Sequence, residues 1–193
     1  MYGPGDVRFF DRLGGLYDLA MPGARAADLR AGLALADRDL ERVVDLAGGT
    51  GRAAAALESG EAIVVDAAPG MLRAARSKGL ETVTGDAMRL PLRDGVADAV
   101  LVVDALHHVP NARAVLDEVV RVLAPGGVLV VRDFDPTTVP GRALVAAEHL
   151  VGFGSRFFAP DDLAHVLEDA GLDARVLDRG FGYTVAGVKR GSQ

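Results

Sequence analysis

The sequence predicts a doubly wound α/β fold, a seven-stranded sheet, mostly parallel, with helices on both faces and an antiparallel hairpin at its C-terminal end. Two observations carry this. Short apolar runs alternate with helical spacings several times without a long linker, as crossover-connected parallel strands require. Near the C-terminus, Ala174 to Leu177 and Tyr183 to Val188 are separated only by Asp178 to Gly182, which leaves no room for a crossover helix. At 193 residues the chain is long enough for one full core and too short for two ordinary domains. A single domain over 1–193 is expected, with a helical cap over 1–41, a cofactor-binding core over 42–193 and a pocket-forming segment over 133–160.

The elements follow in order. Phe9 to Leu19 and Ala26 to Leu35 have helical patterns and are assigned to the cap. Val43 to Leu46 is the first strand, Ile63 to Asp66 the second, and Met71 to Lys78 a helix introduced by Pro69. Thr82 to Thr84 is a third strand, running into the loop Gly85-Asp86-Ala87-Met88. Ala97 to Val103 is a continuous apolar strand, and Val115, Leu116, Val119, Val120 and Leu123 place a helix over Ala112 to Leu123, stopped by Pro125-Gly126-Gly127. Val128 to Val131 is the fifth strand; Leu163 to Ala170 is a helix opened by Pro160-Asp161 and closed by Gly171.

The segment Val43-Val44-Asp45-Leu46-Ala47-Gly48-Gly49-Thr50-Gly51 is the most informative of these. A strand ends in a carboxylate, passes a glycine turn and opens a helix, where unpaired N–H groups and a positive dipole end suit a nucleotide-like ligand. Gly49-x-Gly51-x-x-Ala54, with Asp66 close to the usual offset of about 20 residues, also meets the relaxed dinucleotide fingerprint. Asp45 argues against that reading, since a pyrophosphate gains nothing from a nearby negative charge, whereas a cationic cofactor does.

Here the chain resembles the class I S-adenosylmethionine-dependent methyltransferases, whose first motif is an acid followed by a glycine-rich turn. Three further motifs fall in that family's order: Val65-Asp66-Ala67-Ala68-Pro69-Gly70-Met71-Leu72, Gly85-Asp86-Ala87-Met88, and Arg121-Val122-Leu123-Ala124-Pro125-Gly126-Gly127. The resemblance implies a Rossmann-like core that binds S-adenosylmethionine. Its cofactor contacts would be Tyr17, Asp45, Ala47, Gly48, Gly49, Gly51, Asp66, Ala67, Met71, Asp86, Ala87 and Asp104, with Asp66 on the ribose hydroxyls and the Asp86-Ala87 loop at the adenine edge. Phe10-Asp11-Arg12-Leu13 and Tyr17-Asp18-Leu19 look most like the ubiquinone and menaquinone methyltransferases of the methyltransferase type 11 group. The chain departs from that group after the fourth strand, where Ala105-Leu106-His107-His108 replaces a Gly-(Leu/Ile)-Arg-Asn pattern.

Methyl transfer is an in-line displacement at an activated sulfonium carbon, so the protein must align the acceptor, exclude water and, where needed, remove a proton. His107 and His108, at the carboxyl end of the fourth strand, are the candidate bases. Phe134, His149, Arg156 and Phe157 are candidates for the acceptor wall. Adjacent histidines also raise a metal reading, but no third ligand lies nearby at helical spacing, so no metal is expected. The absence of cysteine removes disulfides, thiolate metal sites and thiol-dependent methylation of arsenite or pyrimidine C5. A net charge of -6 without a Lys/Arg cluster points away from nucleic acid and toward a small-molecule acceptor. No apolar run reaches the ~18 residues of a membrane span, and the N-terminus lacks a signal-peptide shape, so a cytoplasmic protein is expected. A cofactor-binding sensor without transferase activity and a nicotinamide-dependent oxidoreductase are the alternatives; oligomeric state is not legible.

Overall fold

The computed structural model describes residues 26–57 and 62–191. The expected helix over Phe9 to Leu19, and Tyr17 with it, lies outside them. Seven strands, β1 (Val43–Leu46), β2 (Ala62–Asp66), β3 (Glu81–Thr84), β4 (Ala97–Val103), β5 (Leu123–Phe134), β6 (Leu172–Asp178) and β7 (Gly182–Lys189), form one sheet in the order β3-β2-β1-β4-β5-β7-β6. β1 to β5 pair in parallel, and β7 runs antiparallel to both β5 and β6. The chain moves outward from β1 to β3 and then returns to β4 on the other side of β1. That reversal opens a crevice at the carboxyl ends of β1 and β4.

Side chains alternate across a strand, so each strand feeds both faces. Val44, Leu46, Val100, Val102, Leu129 and Val131 meet α4 (Ala112–Val122) and α6 (Pro160–Asp169) on one face. Val43, Val64, Ala99, Leu101, Val128 and Val130 meet α1 (Ala26–Leu33), α2 (Arg52–Ala56) and α3 (Pro69–Ser77) on the other. The expectation that Ala26 to Leu35 caps the site is corrected here. α1 is a layer helix, because Leu29, Gly32 and Leu33 form one face and Val130 side-chain methyls lie within 2.7 Å of where a Cβ on Gly32 would stand.

The strand and helix boundaries elsewhere agree with the sequence reading to within a few residues. α4 ends at Val122 and Leu123 already pairs with Ala97, so Pro125-Gly126-Gly127 sits within β5, between that pair and the Ala99/Val128 pair. The Lys189 ammonium closes the end of α4 by donating to the Val120 and Leu123 carbonyls, both at 2.7 Å. One helix had no signal in the sequence: α5 (Val139–Leu150), capped by Thr138, whose hydroxyl accepts the Gly141 N–H at 3.1 Å. Only Gly141 of α5 is buried, so the helix has no apolar stripe for periodicity to register.

Candidate active site

The first half of the crevice is built from backbone. Alternation along β1 puts Asp45 on the face of α2, fully buried, where Oδ2 accepts the Ala54 N–H at 3.1 Å while Oδ1 has no hydrogen-bond partner. The turn folds directly over this carboxyl group, and a Cβ on Gly48 would collide with it. Ala47, Gly49 and Gly51 all have left-handed backbone (φ 52°, 57° and 75°), which curls the loop back toward β2. There the Gly49 N–H donates to Asp66 Oδ2 at 2.9 Å and the Ala68 N–H to Oδ1 at 2.7 Å. Burial pushes the Asp45 carboxyl up to about 7, against the Ala54 hydrogen bond and with the Asp66 charge adding to the rise. Asp66 is raised too, again by burial, with its backbone donors opposing. Met71 is buried beside Gly49, Ala67 is half-buried, and Ala87 is buried. The Asp86 carboxylate accepts the Met88 N–H at 2.9 Å, an Asx-type turn that fixes its own loop.

The second half is built from side chains. Asp104 ends β4 in a left-handed conformation (φ 51°), and its carboxylate meets Arg132 at 2.9 Å and Arg52 at 3.7 Å. Burial raises its pKa and Arg132 opposes that. Because Arg52 opens α2 just behind the glycine turn, this pair ties the two halves together. One turn later His107 is 2% exposed, and its Nδ1 donates to Asp133 Oδ1 at 2.6 Å while Nε2 lies 3.7 Å from Glu148 Oε1. Phe157 stacks on the ring at 4.3 Å, and the His108 ring is 4.1 Å away. Burial works against the charged form of His107, but Asp133 at contact, with Glu148 and Asp104 behind it, outweighs burial and raises the pKa. His108 shifts the other way. Burial, with His107 adding to it, pushes its pKa down to about 3, so its ring is neutral.

The acceptor-wall candidates divide. Phe134 and Phe157 join the rings around His107. The Arg156 N–H donates to the His107 carbonyl at 2.7 Å, and its exposed side chain lines a neighbouring cleft of about 300 Å³ with Leu106, Val109, Asn111 and Phe158. His149 is exposed on α5, its Nε2 3.3 Å from the Ser155 carbonyl, and stays outside the ring cluster. Asp133 and Glu148 fall in the segment expected to shape the acceptor pocket, without an individual role. Arg52 and Arg132 were not singled out by sequence, and of the two only Arg52 had a local signal, its place directly after Gly51. α5 brings a third potential ligand beside the histidine pair, since His107, His108 and Glu148 each offer one atom, all within 4.8 Å of one another.

Residues 44–131, which hold the glycine turn, Asp66, the Asp86 loop and the histidine pair, match the model of the methyltransferase domain. Over this stretch the chain is similar to the methyltransferase domain family. It is 38% identical over 113 residues to a demethylmenaquinone methyltransferase of Corynebacterium kroppenstedtii, covering 58% of this chain and 49% of that one. It is 44% identical over 116 residues to the protein so named in Beutenbergia cavernae, covering 58% and 48%. The chain therefore spans about half the length of these relatives. Among solved structures, a Thermotoga maritima protein described as an S-adenosylmethionine-dependent methyltransferase, possible histamine N-methyltransferase, superposes with a TM-score of 0.79 at 25% identity, covering 95% of this chain and 99% of that one. An S-adenosylmethionine-dependent methyltransferase from Mesorhizobium loti shares the fold with a TM-score of 0.69 at 23% identity, over 86% of this chain and 99% of that one. Both of these structures are described as S-adenosylmethionine-dependent methyltransferases. Among the described residues no helix is long and apolar enough to cross a membrane.

Proposed function

We propose that this protein, acting in the cytoplasm as a single domain, transfers the methyl group of S-adenosylmethionine to a small-molecule acceptor by in-line displacement. The observation that carries this is the pairing of a turn held between a buried carboxylate, Asp45, and a half-buried one, Asp66, with a match to the methyltransferase domain over the same residues. The cofactor lies over the glycine turn, with its ribose hydroxyls at Asp66, its adenine at the Asp86-Ala87 loop and Met71, and its positive end toward Asp45 and the crevice. Tyr17 is assigned to the same site from sequence. The acceptor enters on the side of His107, Phe134 and Phe157, with His107 and His108 as the candidate catalytic residues. The demethylmenaquinone methyltransferase relatives make quinone precursors the first acceptor class to try.

Calorimetric titration with S-adenosylmethionine, NAD and NADP tests the cofactor, and tighter binding of either dinucleotide overturns the reading. Asp66→Ala is expected to weaken S-adenosylmethionine binding by about 1.5–3 kcal/mol, the range for hydrogen bonds to a charged group. A labelled-methyl screen over quinone precursors, phenols, amines and carboxylates tests the acceptor. His107→Ala should lose turnover and keep cofactor affinity. Firm cofactor binding with no transfer to any of these acceptors would favour a sensor.

A further inference from the structure

Two carboxylates face one imidazole in a nearly dry pocket. Asp133 takes the Nδ1 side of His107, and Glu148 stands 3.7 Å from Nε2, beyond hydrogen-bonding distance. Glu148 Oε2 is buried and has no hydrogen-bond partner. A buried carboxylate oxygen without a partner is unfavourable, and a cation beside it would satisfy it. His108, held from the other side by Ser155 Oγ at 3.3 Å from Nδ1, brings a second imidazole to the same point.

We infer that His107 Nε2, the His108 imidazole and the Glu148 carboxylate hold a divalent transition-metal ion at the acceptor edge of the crevice. The chemistry of the set supports this class of ion. Two imidazoles and one carboxylate form the three-ligand set that leaves a fourth, open position on zinc-like ions, and imidazole favours such ions over magnesium or calcium. The contact from Asp133 to Nδ1 is the arrangement that fixes a metal-binding histidine, setting the tautomer so that the free Nε2 lone pair faces the ion. A dication there would also lie beside the two carboxylates of Asp133 and Glu148. The three ligand atoms span up to 4.8 Å, so the rings and Glu148 draw together on binding. α5, which carries Glu148, has only Gly141 buried.

The inference rests on the proposed function only for the identity of the open position's occupant, a small acceptor that presents an oxygen, such as a phenol or enol. The test is therefore binding, read apart from methyl transfer. Chelator-treated protein is titrated with Co²⁺ and followed by visible absorption, then competed with Zn²⁺. One equivalent with the bands of a four-coordinate N/O site is expected, with affinity reduced at least 10-fold in His107→Ala, His108→Ala and Glu148→Gln. Asp133→Asn should lose about 10- to 100-fold, as for partners behind a ligand. S-adenosylmethionine affinity, measured on each variant, reports whether the fold survives, and Glu148→Gln on the outer helix carries the test if a histidine variant unfolds. No stoichiometric Co²⁺ binding, or binding that these substitutions leave unchanged, overturns the site. Metal binding without any methyl transfer would leave the site standing and remove the functional reading instead.

Discussion

The two halves of the crevice solve the same problem with different materials. On the β1–β2 side, the carboxylates of Asp45 and Asp66 are spent on backbone N–H groups of Ala54, Gly49 and Ala68, so the chain itself shapes the surface. On the β4–β5 side the carboxylates of Asp104, Asp133 and Glu148 are aimed at other side chains, Arg132, Arg52 and His107. A backbone-built surface can recognise one constant ligand and tolerates little change. A side-chain-built surface can be re-specified residue by residue. The difference suits a cofactor that stays the same and an acceptor that varies.

The most severe break in this comparison falls on Asp45. Its pKa is raised to about 7 chiefly by burial, so between the unfolded value of 3.8 and about 7 the folded protein binds a proton that the unfolded chain has released. Stability from this group is therefore full below about pH 4 and declines as pH rises toward and past 7. Asp45→Asn never takes on the charge. Relative to the parent it should gain up to about 4 kcal/mol on going from pH 4 to pH 8, while binding S-adenosylmethionine more weakly. Urea unfolding of both proteins at the two pH values measures it. A pH-independent difference would mean that Asp45 stays ionised in the fold.

Next in size are the glycines, which test whether space or conformation governs the turn. Gly48→Ala drives a methyl into the buried Asp45 carboxyl group and should cost about 3 kcal/mol, the upper range for overpacking. At Gly49 a Cβ meets nothing nearer than Met71 sulfur at 3.8 Å, so Gly49→Ala carries only the left-handed backbone penalty of about 1–2 kcal/mol. Thermal unfolding of the two variants ranks them. The reverse order would show that the loop relaxes away from Asp45.

How much was legible in the sequence follows the same division. The glycine turn, its two flanking acids and the strand alternation are local patterns, and every strand of the parallel sheet but Thr82 to Thr84 was placed by an apolar run. The histidine pair stood out because two titratable rings leave a strand end together. Their partners did not, since Asp133 and Glu148 lie on β5 and α5 and meet His107 only through tertiary packing. α5 was invisible for a related reason: Val139 and Leu150 are exposed at its ends, and no apolar face marks its period. α1 was recognised as a helix and misassigned as a cap, because an apolar stripe says that a face is buried without saying against what.

The finest comparison uses two residues with the same strain and opposite surroundings. Ala47 and Asp104 have nearly equal left-handed backbones, φ 52° and 51°, one in each half of the crevice. Glycine at either position relieves about 1–2 kcal/mol of steric strain and loses roughly 0.4–1 kcal/mol by loosening the unfolded chain. Ala47 is half-buried, and its side chain is a single methyl with no polar partner. Ala47→Gly should thus be neutral or stabilise by less than about 1 kcal/mol. Asp104→Gly gains the same relief but strips the partly buried Arg132 and Arg52 of their shared carboxylate, which should make it a net loss. Equilibrium unfolding of the two variants side by side reads the sign directly. If both stabilise, the Asp104 ion pairs contribute nothing to the fold, and the claim that this half is held by its side chains fails.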